Sequence, residues 1–324
     1  MSNKVILGLD TSNYTTSMSL MDLKSNIVFN TRKLLPVDKG KKGLRQSDAL
    51  FHHIKHLPIL TREINEKGEE FDIVAIAAST KPRPMKESYM PVFLASKSYG
   101  QTMANLWNIP FYEFSHQEGH IAAGLWSQDL NVKSDFICLH ISGGTTEILK
   151  VIPIYGGGYE IEIIGGSSDI SAGQLIDRVG TKIGLSFPAG PYLEKLSQSV
   201  ESVNFNIPVS VVNTEVSFSG PETYFIRLLE QGAIPDAEIA YATFNCIAKS
   251  LTSLIKNILK QHHFSDILIV GGVASNTQIR NHLLDKLSIE DISVHFGKAE
   301  YCTDNAVGVS ALGLSKYLNK NVII

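Results

Sequence analysis

The sequence predicts an α/β protein built from two related halves. Short apolar runs that read as strands, such as "VILGLD" (5–10) and "DILIV" (266–270), alternate with longer segments of helical spacing. The stretches "LDTSNYTTS" (9–17) and "LHISGGTTE" (139–147) align without a gap, Ser12 with Ser142 and Thr15-Thr16 with Thr145-Thr146. Each sits in a strand–turn–strand frame, which suggests a duplicated hairpin in two domains facing a shared cleft. The matches are few, and the alternative is chance likeness between two hairpins. The 324 residues, 44% hydrophobic and 19% charged, suit a globular chain long enough for two domains.

The elements follow in order. "VILGLD" is a strand, "TSNYTT" a polar turn and "SMSLMD" (17–22) an alternating second strand. "NTRKLLPVDKGKKGLRQS" (30–47) reads as a basic loop. "DALFHHIKHLPILTREINEKG" (48–68) has helical spacing and stops at Gly68. "DIVAIAAS" is a buried strand, "TKPRPMKESYMP" (80–91) a loop with three prolines, "VFLASKSYGQTMANLWN" a helix and "IPFYEFS" a strand. A helix starts at the histidine segment "SHQEGH". Strands resume with "FICLHIS" and "TEILKVI". From Ser167 to Ser197 the pattern is helical with a break at "SFPAGP". "YATFNCIAKSLTSLIKNILKQHH" is a long amphipathic helix, "DILIVGGVASNTQIRNHLLDKL" is strand, glycine turn and helix, and "DNAVGVSALGLSKYL" is helical.

Several classes are set aside. The net charge of −3 argues against a chain coated with cations for nucleic acid, though not against a local patch. Three scattered cysteines form no C-x-x-C pair and no complete disulfide framework, so reduced thiols in a cytoplasm are expected. "MSNKVILGLD" does not read as a signal peptide, and no apolar run reaches the roughly 18 residues of a membrane span.

The candidate chemistry begins with His116 and His120. Four apart on a helix, they share a face and can hold one metal ion. A zinc protease places its glutamate beside a histidine, as H-E-x-x-H or H-x-x-E-H. In H-Q-E-G-H, Glu118 points about 200° away from His116 on a helix, so a protease is a poor reading. Gly119 also weakens a helix interior by about 1 kcal/mol. A metal needs further ligands, and His140 and Asp304 are candidates. His52, His53 and His56 form a rival cluster, and a histidine pair at this spacing is usually structural. Imidazoles with one carboxylate suit Zn or Fe. "SGGTTE" is a glycine turn able to bring backbone N–H groups to a phosphate, or simply a hairpin turn. Gly271-Gly272 end a buried strand and Asn276 opens a helix, the place where ligands bind in α/β layouts. Asp177, Gly190 and Glu194 can serve ribose hydroxyls, although pattern alone favours a solvated helix face.

"SHQEGH", "SGG", "AGQLIDRVGTKIGL", "FPAGP", "VSFSGPET", "GGVASN" and "CTDNA" occur in one order over nearly the whole chain, most closely from about 110 to 313. This set resembles the TsaD family, also called YgjD or Gcp. The resemblance implies the actin, sugar-kinase and Hsp-type (ASKHA) fold, with expected domains 1–125 plus 305–324 and 126–304. It implies a cytoplasmic enzyme that moves a threonylcarbamoyl group from threonylcarbamoyl-adenylate to the exocyclic amine of the adenine beside the anticodon in tRNA. His116, His120 and Asp304 resemble the family's ligands for one divalent metal, iron by the resemblance, with zinc the other candidate. His140 stands where the archaeal and eukaryotic branch has a tyrosine ligand, and is expected to complete the site. His140, Ile141, Ser142, Gly143 and Gly144 resemble the substrate-phosphate loop, Asp177, Gly190 and Glu194 the ribose contacts, and Asn276 the adenosine-side contact. An adenine nucleotide (the adenylate or ATP) and partner proteins like TsaB and TsaE are implied as well.

Two departures stand out. The family's first turn carries an Asp-Glu pair, replaced here by Tyr14 and Thr15. A glycine-rich "GPG" loop is replaced by "STKPRPMKES". A diverged paralogue with another acceptor is one consequence, and a non-catalytic scaffold is a further alternative, disfavoured by the retained ligands. The basic loops "RKLLPVDKGKKGLR" and "TKPRPMK" are either contacts for tRNA phosphates or solvated surface.

Overall fold

A computed structural model describes residues 3–12, 14–36, 44–68, 70–130, 132, 134–288 and 291–320. Contacts divide the chain into two units: unit 1 is 1–134, 152–161 and 300–324, and unit 2 is 135–151 and 162–299.

Unit 1 is built on five strands: β1 (Asn3–Thr11), β2 (Thr15–Asp22), β3 (Ile27–Leu34), β4 (Phe71–Lys81) and β5 (Phe111–Ser115), in the order β3-β2-β1-β4-β5. β1, β4 and β5 run parallel, and β2 and β3 are antiparallel additions. Alternation along β1 sends Val5, Leu7 and Leu9 to one face. They form a core there with Leu57, Leu60 and Ile64 of α1 (Gln46–Glu66) and Ala95 and Ala104 of α2 (Phe93–Trp107). On the other face, Gly8 lets the last helix approach: a Cβ there would lie 2.7 Å from the Ala306 carbonyl oxygen. The helices involved are α3 (His116–Ser127), which follows β5 directly, and α10 (Val307–Leu318), the last of the ten among the described residues.

Unit 2 is built around β6 (Phe136–Ile141), β7 (Thr146–Pro153), β8 (Tyr159–Ser167), β9 (Val211–Val212), β10 (Glu215–Val216), β11 (Asp266–Val270) and β12 (Ser293–Phe296), ordered β12-β11-β6-β7-β8-β10-β9. Its helices are α4 (Ala172–Ile183), α5 (Gly190–Ser197), α6 (Ser219–Gln231), α7 (Asp236–Leu259) and α8 (Thr277–Leu287), and the chain returns to unit 1 through α9 (Ala299–Cys302). The apolar face of α7, from Ile239 to Ile258, forms the centre of one core with Leu139 of β6 and Ile267 and Ile269 of β11.

The duplication is visible in both sheets. β8-β7-β6-β11-β12 repeats the order β3-β2-β1-β4-β5, with the first-hairpin strand parallel to the next two in each. The two aligned turns even close the same way: the Ser12 N–H donates to the Thr15 carbonyl at 3.2 Å, and the Ser142 N–H to the Thr145 carbonyl at 2.8 Å.

Some expectations are corrected. Residues 30–34 of the expected basic loop belong to β3, because Met18, Ser17 and Thr16 of β2 supply a ladder for them. Residues 37–43 of that loop lie outside the described residues. Strands β8 and β12 and helix α6 were not expected, and Ser167 ends a strand rather than starting a helix. Segments 126–134 and 300–304 belong with unit 1, not with the second domain. Tyr301 meets Trp126 edge-on at 5.1 Å, and Asp304 meets Ser12 and both histidines of α3. The tip 152–161 also joins unit 1, where Gly157 lies against Ser315 and the Tyr159 N–H reaches Glu118. Among the described residues no helix is long and apolar enough to cross a membrane.

Candidate metal centre and glycine loops

The candidate metal centre, His116, His120 and Asp304, lies within unit 1 and starts with a helix cap. Ser115 ends β5 and caps α3: its Oγ accepts the Glu118 N–H at 3.2 Å, and Glu118 Oε2 accepts the Ser115 N–H at 2.7 Å. This capping box starts the helix at His116 and puts His116 and His120 on one face. Glu118 is buried with its other oxygen facing the Tyr159 N–H at 3.4 Å, so it is a structural carboxylate. The S-x-x-E signature was present in "SHQE" and explains the glutamate between the histidines.

Asp304 is brought to the histidines by the close crossing of α3 and α10. A Cβ on Gly308 would lie 1.9 Å from the Gly119 carbonyl oxygen. The helix-weakening Gly119 thus sits where two backbones nearly touch. His116 Nε2 and His120 Nε2 are 3.1 Å apart, and Asp304 Oδ1 lies 3.5 Å from the first and 3.3 Å from the second. Bonds of about 2.1 Å at angles between about 90 and 109° separate neighbouring ligands by about 3.0–3.4 Å. The three donors therefore fit one ion. They are the group of this kind found among the described residues. Side-chain exposure of 19% for His116 and 28% for Asp304 leaves the ligands open to a further ligand.

Asp10, at the end of β1, orients the first ligand. Its Oδ1 accepts His116 Nδ1–H at 2.8 Å and a hydrogen bond from Ser79, which directs His116 Nε2 toward the other donors. Ser12 Oγ donates to Asp304 Oδ2 at 2.5 Å, which leaves Oδ1 facing the two histidines. Burial opposes a charged His116 imidazole, yet Asp10 and Asp304 hold its pKa well above the ordinary value. Burial likewise opposes the Asp304 carboxylate, but the two histidines hold it well below. Local charge thus favours a cation at this place. Sequence reasoning misses Asp10, Ser12 and Ser79; a strand-ending aspartate followed by Thr-Ser signals the first two, and nothing local signals Ser79.

His140 belongs to unit 2, where it is buried in β6 opposite Glu147 and Val270. After Ile141, Ser142-Gly143-Gly144 forms the second hairpin turn. Ser171 caps α4, and its Oγ also donates to the Gly143 carbonyl at 2.8 Å. A Cβ on Gly173 would lie 2.4 Å from the Ser142 carbonyl oxygen, so the first turn of α4 is seated against this loop. Gly143 and Gly144 are exposed with open space above them. Backbone donors of a glycine turn beside a helix N-terminus suit a phosphate.

The other expected residues are linked within unit 2. Asp177 Oδ1 accepts the Ala189 N–H at 2.7 Å and holds Gly190 at the start of α5; burial raises the Asp177 pKa. One turn along α5, Glu194 Oε1 accepts the Thr277 N–H at 2.8 Å, beside Asn276. Asn276 caps α8, its Oδ1 accepting the Ile279 N–H at 2.9 Å. Its Nδ2 has no hydrogen-bond partner among the described residues, although Asn276 is only 6% exposed. Gly271, at φ 99°, makes the turn before it possible: a Cβ would lie 2.2 Å from the Ile141 carbonyl oxygen.

A hairpin-and-parallel-strand sheet repeated in two units gives this chain the actin and sugar-kinase fold, and one unit carries a His-His-Asp cluster. Solved structures bear out the fold. Full-length HypF in a phosphate- and nucleotide-bound form matches with a TM-score of 0.58 at 15% identity, over 98% of this chain and 46% of that one. A ROK family glucokinase from Streptomyces griseus in complex with glucose and AMPPNP matches with a TM-score of 0.54 at 10% identity, over 94% and 98%. The chain belongs to the TsaD family, tRNA N6-adenosine threonylcarbamoyltransferase, whose model matches residues 38–311. Relatives of that name from Prochlorococcus marinus are 28% identical over 95% of this chain and 89% of their own (strain AS9601), and 30% identical over 84% and 78% (strain NATL2A).

Proposed function

We propose that this chain transfers the threonylcarbamoyl group of threonylcarbamoyl-adenylate to the exocyclic amine of the adenine beside the anticodon in tRNA, at a metal held by His116, His120 and Asp304. The observation that carries the reading is the convergence of those three donors at 3.1–3.5 Å in a chain of this family. On the family pattern alone, His140 is the further ligand and the metal is iron, with zinc the alternative. When bound, a divalent metal supplies Lewis-acid polarisation of a substrate oxygen. Asp10 and Ser12 hold His116 and Asp304 in the orientation that requires.

The residues of unit 2 hold the adenylate. The Ser142–Gly144 turn and the start of α4 take the phosphate, Asp177, Gly190 and Glu194 the ribose, and Asn276 Nδ2 the adenosine side. The adenine amine attacks the carbamoyl carbon, a C–N bond forms, the bond to the phosphate oxygen breaks, and AMP and a proton leave. Partner proteins like TsaB and TsaE, and a cytoplasmic location beside the tRNA, follow from the same reading.

A second reading rests on Tyr14 and Thr15. They stand where the family pattern has an Asp-Glu pair, and Thr15 is buried with its carbonyl closing the first turn. That favours a paralogue carrying the same group to another acceptor. The two are separated by nucleoside mass spectrometry of tRNA from bacteria depleted of their own TsaD. Return of threonylcarbamoyladenosine with this chain, but not with His116→Ala, supports the transferase. Its absence with native partners supplied and soluble, metal-loaded protein supports the paralogue.

A further inference from the structure

The histidine cluster of α1 takes no part in the reaction as described, yet His53 is fully buried and both its ring nitrogens are engaged. Nε2 lies 2.6 Å from the Ser12 carbonyl oxygen and Nδ1 2.8 Å from Thr16 Oγ1. A carbonyl oxygen only accepts, so Nε2 carries the proton. Burial pushes the His53 pKa down to about 4, so the ring is neutral at pH 7 and Nδ1 accepts from the Thr16 hydroxyl. His56 Nδ1, 3.3 Å from Thr16 Oγ1, then donates to that hydroxyl. The result is a directed chain, His56 to Thr16 to His53 to Ser12, which ties α1 to the β1–β2 turn and to β2. Ser12 is the residue whose hydroxyl meets Asp304 Oδ2 at 2.5 Å.

We infer that His53 is a positioning residue for the metal centre: by holding the Ser12 backbone and Thr16 together, it fixes the hydroxyl that orients Asp304. An apolar side chain would fill the same buried volume, but it would leave the Ser12 carbonyl and the Thr16 hydroxyl buried without this partner. It would also leave the turn closed by the Ser12-to-Thr15 bond at 3.2 Å and a longer Ser12 Oγ contact at 3.4 Å to the same carbonyl. Residues that orient a ligand typically change metal affinity about 10–100-fold.

This rests on the metal reading of His116, His120 and Asp304, and the test keeps the two apart. Co2+ binding to the full chain is titrated by its visible absorption, with folding followed by circular dichroism. His116→Ala reports on the metal reading alone. His53→Leu should weaken Co2+ binding at least about tenfold and shift the visible bands. His53→Gln, which can still donate to the Ser12 carbonyl, should restore most of the affinity. Ser12→Ala, which leaves the brace intact, should reproduce the loss even where His53→Leu does not fold. Co2+ affinity and spectrum unchanged in Ser12→Ala, or in a folded His53→Leu, while His116→Ala abolishes binding, would overturn the inference and leave the metal reading standing. No Co2+ bound by the unmutated chain would overturn both.

Discussion

Gly308→Ala is the smallest change that should disable the metal centre without touching a ligand. The added methyl would lie 1.9 Å from the Gly119 carbonyl oxygen and 2.7 Å from the Ala123 nitrogen. Both obstacles are backbone of α3, so no side chain can swing aside. The helices would have to part by at least about 1.1 Å, the difference between 1.9 Å and the 3.0 Å below which such contacts essentially do not occur. Metal sites tolerate about 0.2 Å in their bonds. Asp304 lies four residues before Gly308, and His116 and His120 flank Gly119, so the displacement falls directly between the ligands. Overpacking of this kind costs about 1–3 kcal/mol. At about 2–4 °C per kcal/mol, the melting temperature should fall by roughly 2–12 °C. Metal content by mass spectrometry and calorimetric melting check both parts. A Gly308→Ala protein with full metal occupancy and an unchanged melting temperature would refute the crossing as the device that sets the ligands.

Three further outcomes are expected. Asp10→Asn should weaken metal binding about 10–100-fold, since the carboxylate that orients His116 is lost; isothermal titration showing equal affinity would contradict it. Glu118→Gln should lower the melting temperature, because the reciprocal cap is damaged at a cost of about 1 kcal/mol, yet keep metal binding and transfer; loss of transfer in a metal-loaded Glu118→Gln would make this residue chemical after all. Asp169 accepts from the Ile170, Phe218 and Ser219 N–H groups and from Ser217, and although burial opposes it, these bonds hold its pKa well below the ordinary carboxylate value. A depressed folded pKa stabilises above the unfolded value of about 3.9 and is lost as pH falls below it. The melting-temperature gap between the unmutated chain and Asp169→Asn should therefore be full at pH 7 and shrink below about pH 4; a gap independent of pH would refute the assignment.

The fold was legible where periodicity was strong. β1, β4, β6 and β11 are apolar runs buried on both faces, and α7 carries a continuous apolar stripe, so both types were readable. β8 and β12 were not, because "YEIEIIGGS" and "SVHF" are half-exposed or short and take their strand geometry from neighbours. The candidate His-His-Asp cluster was legible, the histidines from helical spacing and Asp304 through the family motif. The residues around them were not: Asp10 and Ser12 meet the cluster from β1 and its turn, His53 reaches the Ser12 carbonyl from α1, and their partners are distant in sequence. His53 in "FHHIKH" resembled a rival ligand cluster, since sequence cannot tell an imidazole aimed at a carbonyl from one aimed at an ion. The domain limits shifted because Tyr301 and Asp304 pack with residues nearly two hundred or more positions away, a relation no local pattern carries.

The most direct test of the proposed activity is a single-turnover transfer assay. Purified chain, its native partner proteins, threonylcarbamoyl-adenylate and unmodified tRNA are mixed, and the tRNA nucleosides are analysed, with His116→Ala and a chelated sample alongside. Threonylcarbamoyladenosine formed by the unmutated chain, absent from both controls and restored by returning the divalent metal, is the result expected of a metal-dependent transferase. AMP released and tRNA left unmodified, or modification that persists in metal-free His116→Ala, would contradict it.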